Sequence, residues 1–477
     1  MSTPRNPSQK PTDPIRHVVV LMLENRSFDH ALGCYQAVYA GLNGIDQTAN
    51  PRTNPVRGWP SPAEQTVGAT PAFPDRKSLL DLPHEFADVR VQIGEDSAMQ
   101  GFAQTANDFS HGDEDSTKES MKYFDRGELV ALHALADTYL ICDNWYSSLP
   151  GPTWPNRIFA LTGTTLGHVD MPGSIIDTGW HWYDQTTIFD CLNQKSVPWR
   201  VFFHDVPQSL ILAHQFRDLR NAARYDHFRE FAVTCQAPEA EFPGFVFIEP
   251  AFFGSGANDG HPPHNINKSQ ELISDVYGAI RGNPDLFAST LLIITFDEHG
   301  GFYDHQAPPV NSKFIPDSNS HDAFKFDQLG VRVPTILVSP FVQQGFCSEV
   351  FDHTSILRYL VNKWDLQGQA LGGRVEHITD LAVALGIAPR DVASLPMTIP
   401  RTFPNSGSPP ITPTFLHDGQ VALLGLSHLL EIETGADAQV IANRSAILQH
   451  GPEAQASVAA DRVDAFLTKA KTAFPDA

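Results

Sequence analysis

The chain has 477 residues, enough to bury one large core or several smaller ones without staples. Its 55 acidic against 33 basic residues leave a formal charge of −22, which speaks against non-specific binding to nucleic acid or to an anionic membrane surface and requires local positive charge wherever an anion is held. Five cysteines, Cys34, Cys142, Cys191, Cys235 and Cys347, are odd in number, widely spaced and never in a CxxC pair, so they suggest neither a disulfide framework nor a thiolate zinc site.

The opening MSTPRNPSQKPTDP is polar and proline-rich without an apolar h-region. No later stretch approaches the roughly eighteen apolar residues of a membrane span, so a soluble chain with no export signal, and hence a cytoplasmic location, is expected. HVVVLML (17–23) is the first strand. Residues 40–75, rich in Pro, Thr, Asn and Gly without periodicity, read as a surface loop or an inserted flap. Apolar spacing of three to four places helices at LVALHALADTY (129–139), SQELISDVYGAIRG (269–282) and DHTSILRYLVNKW (352–364). WRVFF and GFVFI are further strands, and TLLIITF (290–296) and VPTILVSPF (333–341) are continuous apolar runs like the first. Such runs, alternating with helices, mark an α/β fold with a mostly parallel sheet covered on both faces. A proline-rich linker at 401–414 separates a domain spanning 16–400 from a helical tail, 415–477, expected to pack on it.

In open α/β sheets ligands bind beyond the carboxyl ends of the strands. HVVVLML is followed there by Glu24 and Asn25, and TLLIITF by Asp297, Glu298 and His299. Oxygen donors from two strands suit a divalent cation, although Glu24 or Asn25 is equally able to cap the next helix. SLPGPTWPNRIFALTG (148–163) leads through a Pro-Gly-Pro turn to Thr153 at a helix N-terminus, where free amides and the dipole favour an anion. A hydroxyl there, beside a cation, is a candidate nucleophile; it is also an ordinary N-cap. Arg157, one turn on, is placed to steady a phosphoryl group or to pair with a carboxylate. Histidines gather in the same neighbourhoods, at His84, His111, His261, His264, His299, His305 and His353, and are candidates for a general acid. Trp145, Trp154, Trp180 and Trp182 either form a cation–π cage for a choline head group or belong to the core.

Taken together and in order, VVVLMLENRSFDHALG, GPTWPNR, HPPHN, TFDEHGGFYDH, VRVPTILVSPF and DHTSILRYL closely resemble the bacterial phosphoesterase family of non-haemolytic phospholipases C and respiratory-burst-inhibiting acid phosphatases. The match runs from about residue 16 to about residue 390. The resemblance implies a fold like the alkaline phosphatase superfamily, with one metal-bearing site. It implies Glu24, Asn25, Asp297 and Glu298 as metal ligands and Thr153 as a nucleophile that also touches the metal. It places His84 and one or both of His261 and His264 near the phosphoryl group, with His111 and His353 as further candidates. The donor set suits Ca²⁺ or Mg²⁺, while Zn²⁺ would be more at home with added histidine. The implied substrate is a small phosphate mono- or diester, with a phosphocholine lipid head group among the candidates. Family members are often exported. Two other readings stand beside this one: a sulfatase-like hydrolase, for which no CxPxR context is present, and an inactive binding protein of the same fold.

Overall fold

The structure, a computed structural model, describes residues 13–46, 50–67, 81–171, 183–316, 324–401, 416, 418–433 and 452–477. Eight strands form its central sheet: β1 (His17–Leu23), β2 (Leu140–Cys142), β3 (Trp199–Phe203), β4 (Tyr225–His227), β5 (Phe245–Glu249), β6 (Thr290–Phe296), β7 (Thr335–Val338) and β8 (Gly345–Cys347). Their order across the sheet is β8-β2-β7-β6-β1-β5-β3-β4. All neighbours are parallel except those of β7, which runs antiparallel to both β6 and β2.

Every residue of β1 and β6 is buried, so both faces of the sheet centre are covered. That is why these strands are continuous apolar runs rather than alternating ones. The predicted helices appear as Val130–Ala136, Ile266–Arg281 and Thr354–Trp364. The Pro-Gly-Pro turn leads, as expected, into the helix Thr153–Thr162. Within 40–75, the described residues hold only two-residue strands such as Thr53–Asn54 and Ala63–Glu64. The linker after Arg401, 402–414, and the tail segment 434–451 lie outside the described residues. Helices Asp418–Glu433 and Pro452–Ala473 pack on each other and on the sheet domain, where Gln420 donates to Phe252 O at 2.5 Å and Lys471 pairs with Asp226 at 2.6 Å.

Register decides what the sheet presents. Leu23 of β1 pairs with Phe296 of β6, so the next residues of both strands leave the carboxyl edge side by side. The loops that follow are tied by a fully buried arginine. Arg332 donates from Nε to Asp304 at 2.9 Å, from Nη2 to Asp29 at 3.0 Å and from Nη1 to the carbonyls of Asn43 and Asp143 at 2.6 and 2.7 Å. It thereby joins the segments after β1, β6 and β2 behind the site. Arg332→Met should strand buried Asp304 without its arginine, leave Asp29 only His305 and the more distant Arg52, and destabilise the fold by about 3–5 kcal/mol, read as a lower denaturant midpoint.

Candidate active site at the carboxyl edge

Glu24 and Asn25 follow β1, and Asp297 and Glu298 follow β6; all four are buried. Asn25 adopts φ 62°, a left-handed conformation that asparagine tolerates better than most residues. This turns its N–H onto Asp297 Oδ1 at 3.2 Å. The close approach of the second loop depends on Gly300, where a Cβ would lie 2.6 Å from Asn25 Cβ and carbonyl oxygen. Asp297 Oδ1 also accepts from Glu298 N at 2.7 Å, and Glu298 Oε2 accepts from Gly300 N at 2.7 Å.

Arg157, reaching in from the helix Thr153–Thr162, donates from Nε to Asp297 Oδ2 at 2.9 Å and lies 3.4 Å from Glu24 Oε1. Its Nη2 is spent on the carbonyls of Met22 and Leu23. Of the two roles open to Arg157, the structure shows carboxylate pairing. It is enclosed among the strand ends and does not line the cavity that holds Thr153, while its Nη1 is buried and makes no hydrogen bond.

These contacts leave specific atoms over. Glu24 Oε2, Asn25 Oδ1 and Glu298 Oε1 are buried and accept no hydrogen bond. Buried oxygens without partners are costly, and a set of three from two adjacent strand ends is the donor chemistry of a hard divalent cation. The residues therefore fit the metal the resemblance implies. Electrostatics agree: burial, with Asp297 and Asp259 adding to it, pushes Glu24 well above the usual carboxylate range despite Arg157 and Gln208. Burial likewise pushes Asp297 up to about 7, even with Arg157 beside it. Carboxyls that burial keeps from ionising are the ones a cation would stabilise in their charged form.

Beside this cluster lies a cavity of about 100 Å³ lined by Thr153, His84, His261, Asp81, Phe109 and Met171, among others. The turn that delivers Thr153 is held by Asn156, whose side chain accepts from Leu149 N at 3.1 Å and donates to Gly151 O at 2.8 Å. Arg374, paired with Asp352 at 3.0 Å, donates to Ser148 O at the start of the same turn. His84 bridges cavity and carboxylates. Its Nδ1 donates to Leu82 O at 2.6 Å, and its Nε2 lies 3.3 Å from Asn25 Nδ2 and 3.9 Å from Glu298 Oε1. Burial alone would lower its pKa, but Glu298 and Asp81 overcome this and push it up to about 10. A donor amide suits the neutral ring and the carboxylates suit the imidazolium, so Nε2 has a partner in either protonation state. His261 turns Nδ1 to Pro262 O at 2.5 Å and presents Nε2 to Asp81 at 3.7 Å.

The other candidates are placed elsewhere. His264 bonds Asp259 through Nδ1 at 2.8 Å and is not among the lining residues. His111 is exposed in the turn after the helix Phe102–Phe109. His353 supports the Asp297–Glu298 loop from behind, with Nε2 on Asp297 O at 2.6 Å; burial lowers its pKa to about 4, so it is neutral there. His299 bonds Gln92 through Nε2 at 2.7 Å and backs the site with Nδ1 3.3 Å from Glu298 Oε2, and His305 belongs to the Asp29–Asp304–Arg332 network. Trp145 and Trp154 are buried in the core, which removes them from a choline cage; Trp180 and Trp182 lie outside the described residues. Gln208, unremarked in the sequence, donates to Glu24 Oε1 at 2.6 Å from a short turn after β3. Nothing in its local sequence announces this, because only the sheet order brings β3 to the site.

A sequence profile described as Phosphoesterase family matches residues 15–367. The chain belongs to this family. It is 34% identical over 444 residues to non-specific phospholipase C6 of Arabidopsis thaliana, a match covering 87% of this chain and 81% of the relative. It is 27% identical over 415 residues to non-hemolytic phospholipase C of Burkholderia pseudomallei, covering 74% of this chain and 56% of that one. Plant relatives thus stand beside the bacterial ones that the motifs suggested. As a Phosphoesterase family member related to phospholipases C, the chain is a phosphoric ester hydrolase. Among solved structures it is similar to the lipoteichoic acid synthase LtaP from Listeria monocytogenes, with a TM-score of 0.32 and 8% identity over 75% of this chain and 73% of that chain, a score too low to add to the fold described above.

Proposed function

We propose that this phosphoesterase cleaves phosphodiesters of the phospholipase C type through a phosphothreonine at Thr153, with one divalent cation held by Glu24, Asn25, Asp297, Glu298 and the Thr153 hydroxyl. The observation that carries it is the position of Thr153: at the head of a helix, in one cavity with His84 and His261, beside buried oxygens that accept no hydrogen bond.

The cation, when bound, supplies Lewis acidity that lowers the pKa of a nearby hydroxyl and neutralises charge on phosphoryl oxygens. The chain's own residues do the rest. Thr153 Oγ, its proton released to solvent, attacks phosphorus in line and displaces the alcohol oxygen, while the amides of its helix stabilise the equatorial oxygens. His84, whose Nδ1 is held by Leu82 O and lies 3.4 Å from Asp81, turns Nε2 to the site and gives its proton to the departing alkoxide. His261, with Nδ1–H fixed on Pro262 O, leaves Nε2 able to take a proton from the water that hydrolyses the phosphothreonine. Arg157 and Gln208 orient the carboxylates throughout.

Hydrolysis of p-nitrophenyl phosphate and p-nitrophenyl phosphorylcholine, side by side with metal-stripped and metal-restored protein, tests the reading. The diester is expected to be preferred, with turnover lost on stripping and recovered on restoration. Turnover of the monoester alone would mark a phosphatase instead, and silence on both after restoration would reject the proposal.

A further inference from the structure

The helix that presents Thr153 has few donors at its head. Pro155 carries no N–H, and Asn156 N already closes the first helical bond, to Pro152 O at 3.5 Å. Thr153 and Trp154 therefore supply the amides of the first turn. The Trp154 N–H is engaged: it donates to the thioether sulfur of Met171 at 3.4 Å. Met171 lines the same cavity as Thr153, His84 and His261 and is half-buried.

A thioether is a weak acceptor. A phosphoryl oxygen carries charge, and a helix N-terminus favours it through both the amide and the dipole. A phosphoryl group bonded to Thr153 Oγ is adjacent in sequence to the Trp154 amide, the donor that Met171 holds. Resting on the reading of Thr153 as nucleophile, the geometry points to Met171 as a displaceable placeholder whose sulfur holds the Trp154 amide and yields it to a phosphoryl oxygen of the substrate. Met171 then sets the affinity of the site for phosphoryl groups: part of the binding energy of every phosphoryl ligand is spent on turning it aside. A weak acceptor keeps the amide satisfied and in place without competing strongly, which a serine or glutamine at this position would do.

The test is competitive inhibition by inorganic phosphate, read against p-nitrophenyl phosphate or the phosphorylcholine diester, whichever is turned over, for the wild type, Met171→Leu and Met171→Ala. Leucine keeps the volume and removes the acceptor. The phosphate inhibition constant should fall about 3- to 10-fold in Met171→Leu, the worth of one modest hydrogen bond, with KM falling in step. Met171→Ala should add little beyond this. An unchanged inhibition constant in the leucine variant, or a change confined to the alanine variant, would overturn the placeholder and leave Met171 as bulk alone. Thr153→Ala separates the two readings. Turnover retained by Thr153→Ala overturns the nucleophile whatever Met171 does. An inactive Thr153→Ala beside an unchanged phosphate constant in Met171→Leu overturns Met171 alone. A wild type that phosphate does not inhibit overturns the placeholder.

Discussion

Thr153→Ala is expected to lower kcat by roughly three to six orders of magnitude, the range seen when the nucleophile of a covalent mechanism is removed. The size follows from what is lost. Without Oγ no phosphothreonine forms, and the residual rate is whatever the amides, histidines and cation give to direct attack by water. Folding should be little affected, because the helix is not capped by this side chain: its N-cap is Pro152, and no side-chain capping bond is made there. Thr153→Ser keeps the oxygen and should retain turnover within about two orders of magnitude, so the pair separates loss of chemistry from loss of shape. A direct check is available. Acid-quenched wild type, mixed with substrate, should carry a phosphoryl group on the peptide containing residues 153–157, and Thr153→Ala should not. A variant that kept full activity with its metal bound would remove the covalent mechanism.

How far the sequence reveals this site depends on where each part sits. Glu24, Asn25, Asp297 and Glu298 were legible because each pair directly follows a long, fully buried strand, and a fully buried strand is a continuous apolar run that ends abruptly in polar residues. Thr153 was legible because proline and glycine before a helical pattern mark a turn into an N-terminus. The short strands β2, β4 and β8 were not, since three residues offer no periodicity to read. Nor could the sequence separate His261 from His264. The two are three residues apart in one loop, and only the folded backbone sends one to the cavity and the other to Asp259. Arg157 shows the same limit: a cation one turn after Thr153 suits a phosphoryl group or a carboxylate equally, and the register of β1 against β6 brings Asp297 to it. Side chains whose role is set by a distant strand leave no local trace.

Metal affinity should fall steeply as the pH drops below about 7. In the metal-free protein burial pushes the Asp297 carboxyl up to about 7, and holds Glu24 well above the usual range. A divalent cation binds the ionised forms, so below pH 7 its binding must release protons, and above that pH the dependence should flatten. The same shift sets the stability of the metal-free protein. A carboxyl whose folded pKa lies above its unfolded value of 3.8 contributes stability that is fully present below 3.8 and lost as pH rises through about 7. Added cation restores what ionisation removes, so the gain in melting temperature on adding metal should grow with pH between about 4 and 7. Asp297→Asn removes one ionisable carboxyl from the proposed cation site and leaves Arg157 facing a neutral amide. Its affinity for the cation should drop by at least about 100-fold, beyond the 10- to 100-fold typical of residues that only orient a ligand, and Gln208→Ala should fall within that smaller range. Calorimetric titration of Ca²⁺, Mg²⁺ and Zn²⁺ into wild type and both variants at pH 5.5 and 8 reads all of this without reference to turnover. A cation that bound equally well at both pH values, and to Asp297→Asn as to the wild type, would place the metal somewhere other than the carboxyl ends of β1 and β6.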